Sequence, residues 1–298
     1  MAITAAQVKE LRQTTGAGMM ECKKALGETE GDMKKAVIWL RERGISRAAK
    51  KEGRTAAEGV VQYAISPDKT RGVLIELNCE TDFAGQNPDF QALSHKIASV
   101  ALEKQINDIE ELRKTEIDGT AISAKITELV ASIGENITLR RVETIAAKSG
   151  LVEGYNHMNG KIGALVALEN CESDNSLALC RDLAMHVAAT APKYFDRSEV
   201  SQSVLDEEKE ISRKRLLDQG KSPDIIEKIL IGQMNKFYSE VCFVDQPFVK
   251  EPKLTVTKHI KATDSKAKAT GFIRFQLGEG IQVEEKDFAD VDFENDDE

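Results

Sequence analysis

The sequence lacks the patterns on which several classes of protein depend. Its five cysteines are odd in number and contain no Cys-x-x-Cys pair, which argues against a disulfide framework or a zinc site and favours buried, reduced thiols. No apolar run approaches the ~20 residues that span a bilayer. The N-terminal segment MAITAAQVKELRQ has neither the apolar centre of a signal peptide nor the arginine-rich character of a transit peptide. These absences favour a cytoplasmic, bacterial protein with no membrane partner.

Signatures of catalysis are absent as well. The four histidines, His95, His157, His186 and His259, belong to no metalloprotease, serine-hydrolase, phosphate-loop or dinucleotide-binding motif. The acidic residues are scattered, so no two of them suggest an acid and base pair. No residue therefore supports an enzymatic function. No cofactor or bound metal is expected, and a protein-binding function is favoured.

Length and charge set the broad class. The chain has 298 residues, of which 41% are hydrophobic and 31% charged, as in ordinary globular proteins with two or three domains. Its net charge of −9 argues against broad binding of nucleic acid. No direct nucleic-acid partner is expected.

Three short helices are predicted in residues 1–45. Thr4 and Gln7 match a Thr-x-x-Gln capping box at the first helix, Asp32 is placed to cap the third, and Gly44 is expected to end it. The basic segment that follows, SRAAKKEGRTAAEG, is interpreted as a linker with a short helix. A solvated linker is favoured there over a strip that binds phosphate or RNA.

Two adjacent methionines, Met19 and Met20, follow the glycine-rich turn after the first helix. Neighbouring residues on a helix do not share a face, so one of the two is expected to be exposed. Loose packing at a helix start and a soft apolar contact for a partner explain this position equally well.

An internal repeat organises the middle of the chain. RGVLIELNCETDF (71–83) resembles IGALVALENCESDN (162–175), and each copy follows a strand-like segment and precedes an alanine-rich helical segment. ENITLRRVETI (135–145) and TGFIRFQL (270–277) are expected to add a third strand to each copy. The pattern predicts an α+β fold with two small antiparallel sheet-plus-helix units.

A long helical hairpin interrupts the second copy at about residues 198–240. Gly220 breaks it, and Ser222 with Pro223 restarts the helix. The predicted seam between the two arms, read from apolar spacing, consists of Val204, Leu205, Ile211, Ile226, Ile229, Leu230 and Phe237. A projecting antiparallel coiled coil of this kind implies contact with a partner or with a second copy.

Phe83 stands out in the comparison of the two copies. The second copy keeps NCESD but has Asn175 where the first has Phe83. If the aromatic ring were needed to close the unit's core, both copies should have an apolar residue there. Phe83 is therefore a candidate for an exposed, functional aromatic residue rather than a structural one.

Several segments together resemble the hallmark segments of the bacterial translation elongation factor Ts family, in order and over nearly the full length: TGAGMMECKKAL, NCETDFAG, GENITLRRV, HVAA, QPFV and TGFIRFQLGEGI. The resemblance implies an N-terminal ubiquitin-associated-like module followed by two core subdomains. The implied divisions are residues 1–54 for the module with its linker, 55–147 for the first subdomain, 148–280 for the second with its coiled-coil insertion, and 281–298 for an acidic tail.

The resemblance also implies a function, guanine-nucleotide exchange on the GTPase elongation factor Tu. In this family the segment matched by Thr81, Asp82, Phe83 and Ala84 dislocates the partner's Mg²⁺. Ala84 stands where a valine is expected, and Asp82 acts either as an oxygen ligand or by repelling phosphate. Arg12, Met19, Met20 and His157 are implied as further partner contacts. The coiled-coil arm implies a possible homodimer.

Two other functions stay open at this stage. One is an adaptor whose N-terminal module binds peptides or nascent chains, and the other is an enzyme of unknown type. The chain's ending, DFADVDFENDDE, departs from the family by its acidity, and its helix is expected to be short or frayed.

Overall fold

The structure, a computed structural model, describes residues 3–15 and 17–282. Over these residues the chain has a mixed α+β fold in which an N-terminal set of helices precedes two three-stranded antiparallel sheets. The acidic ending DFADVDFENDDE lies outside the described residues.

The N-terminal helices form around a small core of their own. Their bounds are α1 (Ala5–Thr15), α2 (Met19–Glu28) and α3 (Met33–Lys51), and Leu11, Cys22 and Leu26 are fully buried between them. The predicted capping box is confirmed, since the Gln7 N–H donates to Thr4 Oγ1 at 3.3 Å and the Thr4 N–H donates to Gln7 Oε1 at 3.0 Å. Asp32 caps α3 by accepting the Lys35 N–H at 3.1 Å.

The prediction that Gly44 ends the third helix is wrong, because α3 continues to Lys51. A Cβ built on Gly44 would lie only 2.8 Å from Ala131 Cβ on α7 (Ile122–Ile133). This glycine therefore permits two helices to approach closely, and the first part of the segment expected to be a linker, up to Lys51, supplies the end of α3.

The two sheets share one topology. The first has the order β1 (Glu58–Ile65), β2 (Arg71–Cys79), β5 (Ile137–Ala146), and the second has the order β10 (Lys268–Gln276), β7 (Ile162–Glu169), β6 (Gly150–His157). All the pairings are antiparallel. Each sheet thus consists of a hairpin and a later third strand, as the repeat predicts. The division into subdomains stays a prediction.

The sheets pack face to face, with helices on the outside. On β2, Val73, Ile75 and Leu77 point to the core beneath α5 (Pro88–Lys104), whereas Leu74 points to the opposite sheet. On β7, Leu165 meets that same central layer, and its neighbours in sequence face α8 (Ser176–Thr190). Covered on both faces, β7 is a continuous apolar run, and the interior of β2 is apolar except for the buried Glu76 and Asn78 near its end.

Both copies carry an insertion before their third strand, although the sequence indicated only the second. In the first copy it contains α6 (Ile109–Lys114), the short pair β3 (Glu116–Ile117) and β4 (Thr120–Ala121), and α7. In the second copy it contains α9 (Gln202–Asp218), α10 (Pro223–Val241), β8 (Pro247–Phe248), β9 (Glu251–Thr255) and α11 (Val256–Thr263).

Helices α9 and α10 form the predicted hairpin, with Gly220 in a left-handed turn at φ +73°. Leu216, Ile226 and Leu230 are buried together, with Ile229 alongside them. Placing Ile211 in this seam was wrong, because its side chain is 61% exposed. Ser212 and Leu216, one helical turn apart, are the buried positions of α9.

Candidate functional site

The segment after β2 forms α4 (Asp82–Gly85), a single helical turn capped by Thr81. Thr81 Oγ1 accepts the Ala84 N–H at 3.3 Å, which is the bond that an N-terminal cap makes. Ala84 is 4% exposed, and a Cβ on Gly85 would lie 3.2 Å from Gly59 Cα at the start of β1. One side of α4 is therefore seated tightly on the first sheet.

The opposite side of α4 faces solvent. Successive residues of a helix point about 100° apart, so the burial of Ala84 turns Phe83 outward, and its side chain is 82% exposed. The expected exposure of Phe83 is confirmed, whereas its role stays a prediction. Asp82 is exposed too, and within the described residues no hydrogen bond or ion pair engages its carboxylate.

Two adjacent loops hold each other at the start of α4. The Glu135 carboxylate accepts the Thr81 N–H at 2.9 Å and the Thr81 hydroxyl at 2.6 Å. In return, Glu80 Oε1 accepts the Asn136 N–H at 2.6 Å. These four residues, Glu80, Thr81, Glu135 and Asn136, are called the reciprocal clamp below. Glu135 could not be predicted from the sequence, because its partner Thr81 lies 54 residues away.

The N-terminal segment and a buried thiol also join the reciprocal clamp. The Asn136 side chain donates to the Arg54 carbonyl at 2.7 Å, and the Arg54 guanidinium lies 3.8 Å from Glu80. The Cys79 thiol donates to the Thr81 carbonyl at 3.1 Å. Burial, reinforced by the negative charges of Glu135 and Glu58, raises the pKa of Cys79 to about 12. Cys79 therefore acts as a hydrogen-bond donor and not as a nucleophile.

His157 lies exposed at the end of β6. Its Nδ1 is 3.2 Å from the Tyr155 hydroxyl, and the two rings stack with centroids 6.0 Å apart. The following residues, Met158 and Asn159, have φ +49° and +55°, a conformation that asparagine adopts more readily than methionine. Met158 is 62% exposed. Like Phe83, Met158 is an exposed apolar side chain in this region, but nothing in the sequence pattern pointed to it.

The α4 turn and the turn after His157 border one groove of about 520 Å³. Gly160, at φ +88°, passes so close to β1 that a Cβ would lie 2.4 Å from Val60 Cγ2. The face-to-face sheets therefore bring two predicted sites from different copies to one surface. The lining of the groove combines charged, amide and apolar side chains, among them Asp82, Gln86, Gln91, Asn156, Met158 and Lys161.

The predicted contacts of the N-terminal helices lie apart from this groove, which none of them lines. Arg12 is exposed in the last turn of α1. Met19 and Met20 are 54% and 73% exposed. Both methionines are therefore exposed, whereas only one was expected to be. The buried face of α2 begins only at Cys22, after both methionines.

No group of three or more histidine, cysteine or acidic side chains that could hold a metal ion is found in residues 3–15 and 17–282. Over the same residues, no helix has the length and apolarity needed to cross a membrane.

Known proteins similar to this chain agree with one another. The family model described as Elongation factor TS matches residues 80–279, more than half of the chain. Elongation factor Ts of Halothermothrix orenii is 46% identical over 292 residues, which cover 97% of each protein. The proteins of the same name from Nitratiruptor sp. and Hydrogenovibrio crunogenus are 45% and 44% identical, each over 97% of this chain and 97% and 96% of their own length.

Proposed function

The chain belongs to the elongation factor Ts family, and on this premise we propose that it is a guanine-nucleotide exchange factor for elongation factor Tu. It binds the GDP form of that GTPase in the cytoplasm, disturbs the Mg²⁺ site and releases GDP, so that GTP can bind during translation elongation. Family membership supports this proposal, and the observation that carries it is Phe83, 82% exposed on a turn fixed to the first sheet.

Such a factor needs no chemistry of its own. In a GTPase the metal offsets the negative charge of the phosphates, so a disturbed metal site weakens nucleotide binding. The factor must bind the nucleotide-free form better than the GDP form, and by linkage GDP then weakens its binding by the same ratio. Each ~1.4 kcal/mol of differential contact changes GDP affinity about tenfold.

We propose different roles for the four residues of the α4 segment. Phe83 enters a pocket of the partner, where a buried aromatic ring supplies the contact energy typical of interface hot spots. Asp82, which is exposed beside it, acts near the metal either as an oxygen ligand or by repelling phosphate. Thr81 caps the turn, and Ala84 seats it on the sheet.

Further contacts with the partner are proposed at the exposed residues Arg12, Met19, Met20 and His157. The groove supports the assignment of His157, because residues on both sides of it in sequence line the same surface as Asp82. A homodimer through the α9–α10 hairpin stays a prediction. The hairpin's seam is closed by its own side chains, whereas Ile211 and Ile231 point outward with 61% and 68% exposure.

The first prediction is that Phe83→Ala slows stimulated GDP release roughly tenfold or more, which corresponds to a hot-spot contact of at least ~1.4 kcal/mol. Stopped-flow release of a fluorescent GDP from elongation factor Tu measures this rate. Because Phe83 is so exposed, the variant should keep the parent's circular dichroism spectrum and melting temperature.

Asn175→Ala is the matched control, since Asn175 is exposed at the equivalent position of the second copy. It should exchange GDP at the parent rate. A Phe83→Ala variant as fast as this control would remove the basis of the proposed mechanism.

A further inference from the structure

We propose that Glu135 is a positioning residue for nucleotide exchange, which acts by holding α4 so that Phe83 projects toward the partner. The inference rests on the proposed function and assigns a role in it to a residue outside the α4 segment. It is carried by the paired hydrogen bonds between Glu135 and Thr81.

Both hydrogen bonds between Thr81 and Glu135 are donated by Thr81 and accepted by the Glu135 carboxylate. An ionised carboxylate only accepts, so Thr81 must donate both its N–H and its hydroxyl hydrogen to Glu135, at 2.9 and 2.6 Å. With its hydrogen committed, the Thr81 hydroxyl presents its lone pairs to the Ala84 N–H. Glu135 thereby sets the orientation of the cap that starts the turn.

The aromatic ring is oriented by the backbone of α4, which is held by the packing of Ala84 on the first sheet and by the bonds at Thr81. A helix of one turn is too short to be stable by itself, so α4 depends on its tertiary bonds. Phe83 is 82% exposed, which means that packing within its own chain does not position the ring. Its direction follows from the backbone of residues 81–85, and Glu135 bonds the first of these.

The second copy contains an equivalent bond system. Asp264 precedes β10 as Glu135 precedes β5, and its carboxylate accepts the Glu172 N–H, the Ser173 N–H and the Ser176 hydroxyl at 2.8 to 2.9 Å. These donors hold the pKa of Asp264 far below its usual range. An acidic side chain that fixes the loop after the middle strand is thus common to both copies. Only in the first copy does that loop carry an aromatic residue at its tip.

The test combines Glu135→Ala with Phe83→Ala in a double-mutant cycle. Stimulated GDP release is measured at saturating concentrations of each variant, and affinity for elongation factor Tu is titrated separately. We expect Glu135→Ala alone to slow release at saturation roughly tenfold, a loss of ~1.4 kcal/mol in transition-state stabilisation. In the Phe83→Ala background it should change the rate less than twofold, because it acts through Phe83.

Glu135→Gln is the conservative variant and should recover most of the rate, since its amide oxygen can still accept the Thr81 N–H. Amide hydrogen exchange of the free protein provides a second readout, in which Glu135→Ala should speed exchange at Ala84 about tenfold. If Glu135→Ala fails to fold, Thr81→Val takes its place, which removes the hydroxyl that bonds both Glu135 and the Ala84 N–H, and Thr81→Ser, which keeps the hydroxyl, serves as its control.

Each result decides between distinct conclusions. A parent protein that does not accelerate GDP release overturns the proposed function, and the role of Glu135 falls with it. An active parent with an unaffected Glu135→Ala variant overturns the role of Glu135 alone. Equal losses in the parent and Phe83→Ala backgrounds would also overturn it, because Glu135 would then act without Phe83.

Discussion

His186 is a fully buried side chain on α8 whose two ring nitrogens are both engaged. Nδ1 accepts the Val249 N–H at 3.2 Å, so the hydrogen is assigned to Nε2, which donates to Gln246 Oε1 at 3.0 Å. Protonation of Nδ1 would break the bond to Val249 and leave a charge in the core. Burial accordingly lowers the pKa of His186, although the bond to Gln246 opposes the shift.

This residue predicts a loss of stability in mild acid. In the unfolded chain the imidazole titrates near its ordinary value of 6.5, whereas the folded chain resists protonation. Below pH 6.5 the unfolded state therefore binds more protons, and the free energy of unfolding falls by up to ~1.4 kcal/mol per pH unit until the folded pKa is reached.

Urea unfolding at pH 7.5, 6.5 and 5.5 measures this dependence. Most carboxylates titrate below this range, and His186→Gln should flatten the profile. If the His186→Gln profile is as steep as the parent's, another group controls stability in mild acid.

At the scale of elements, two helical glycines with different surroundings show what a helix interior tolerates. Gly44 on α3 faces Ala131 on α7, where an added Cβ would lie 2.8 Å from Ala131 Cβ, whereas a Cβ on Gly232 of α10 would meet no atom within 4 Å. Glycine in a helix costs roughly 0.5–1 kcal/mol relative to alanine. The same substitution should therefore act in opposite directions at the two sites.

We predict that Gly232→Ala raises the free energy of unfolding by up to ~1 kcal/mol. Gly44→Ala should instead lower it, because the short side chain of Ala131 cannot rotate away and the two helices must separate. Thermal unfolding of the two variants beside the parent measures both effects. An increase in melting temperature for Gly44→Ala would mean that α3 is free to shift against α7.

At the scale of the whole molecule, a buried carboxylate joins the two halves of the chain. Glu76 of β2 is fully buried, and it pairs with Arg140 and Arg141 of β5 at 3.1 and 2.5 Å. It also accepts the Gly278 N–H from beyond β10 at 2.9 Å. A buried ion pair contributes little net stability, but removal of one partner leaves uncompensated charge.

The corresponding prediction is that Glu76→Gln lowers the free energy of unfolding by roughly 3 kcal/mol, since Arg140 loses its carboxylate partner and Arg141 keeps only Glu279. Urea unfolding measures the change. Asp118→Asn, which removes an exposed ion pair with Lys96, should leave the urea midpoint where it is. If both variants unfold at the parent's midpoint, the buried cluster does not join the two halves.

Features encoded by near neighbours could be predicted from the sequence. The capping box at Thr4 depends on a residue three positions away. Gly220 forms the turn of the hairpin through its own backbone conformation. The paired strands follow from alternating or continuous apolar runs and from the repeat. Even the exposure of Phe83 was indicated, because the second copy places Asn175 at the same position.

The tertiary structure alone decided the features that depend on distant partners. The sequence predicts a helix stop at Gly44, yet the glycine is required by the close approach of Ala131 on another helix. Apolar spacing placed Ile211 in the seam, although the register of α9 against α10 turns it outward. Nothing in the sequence around Glu135 indicates a partner, but the pairing of β5 with β2 places Glu135 beside Thr81. Local periodicity determines elements, whereas the residues that orient them meet only after long segments of chain have packed.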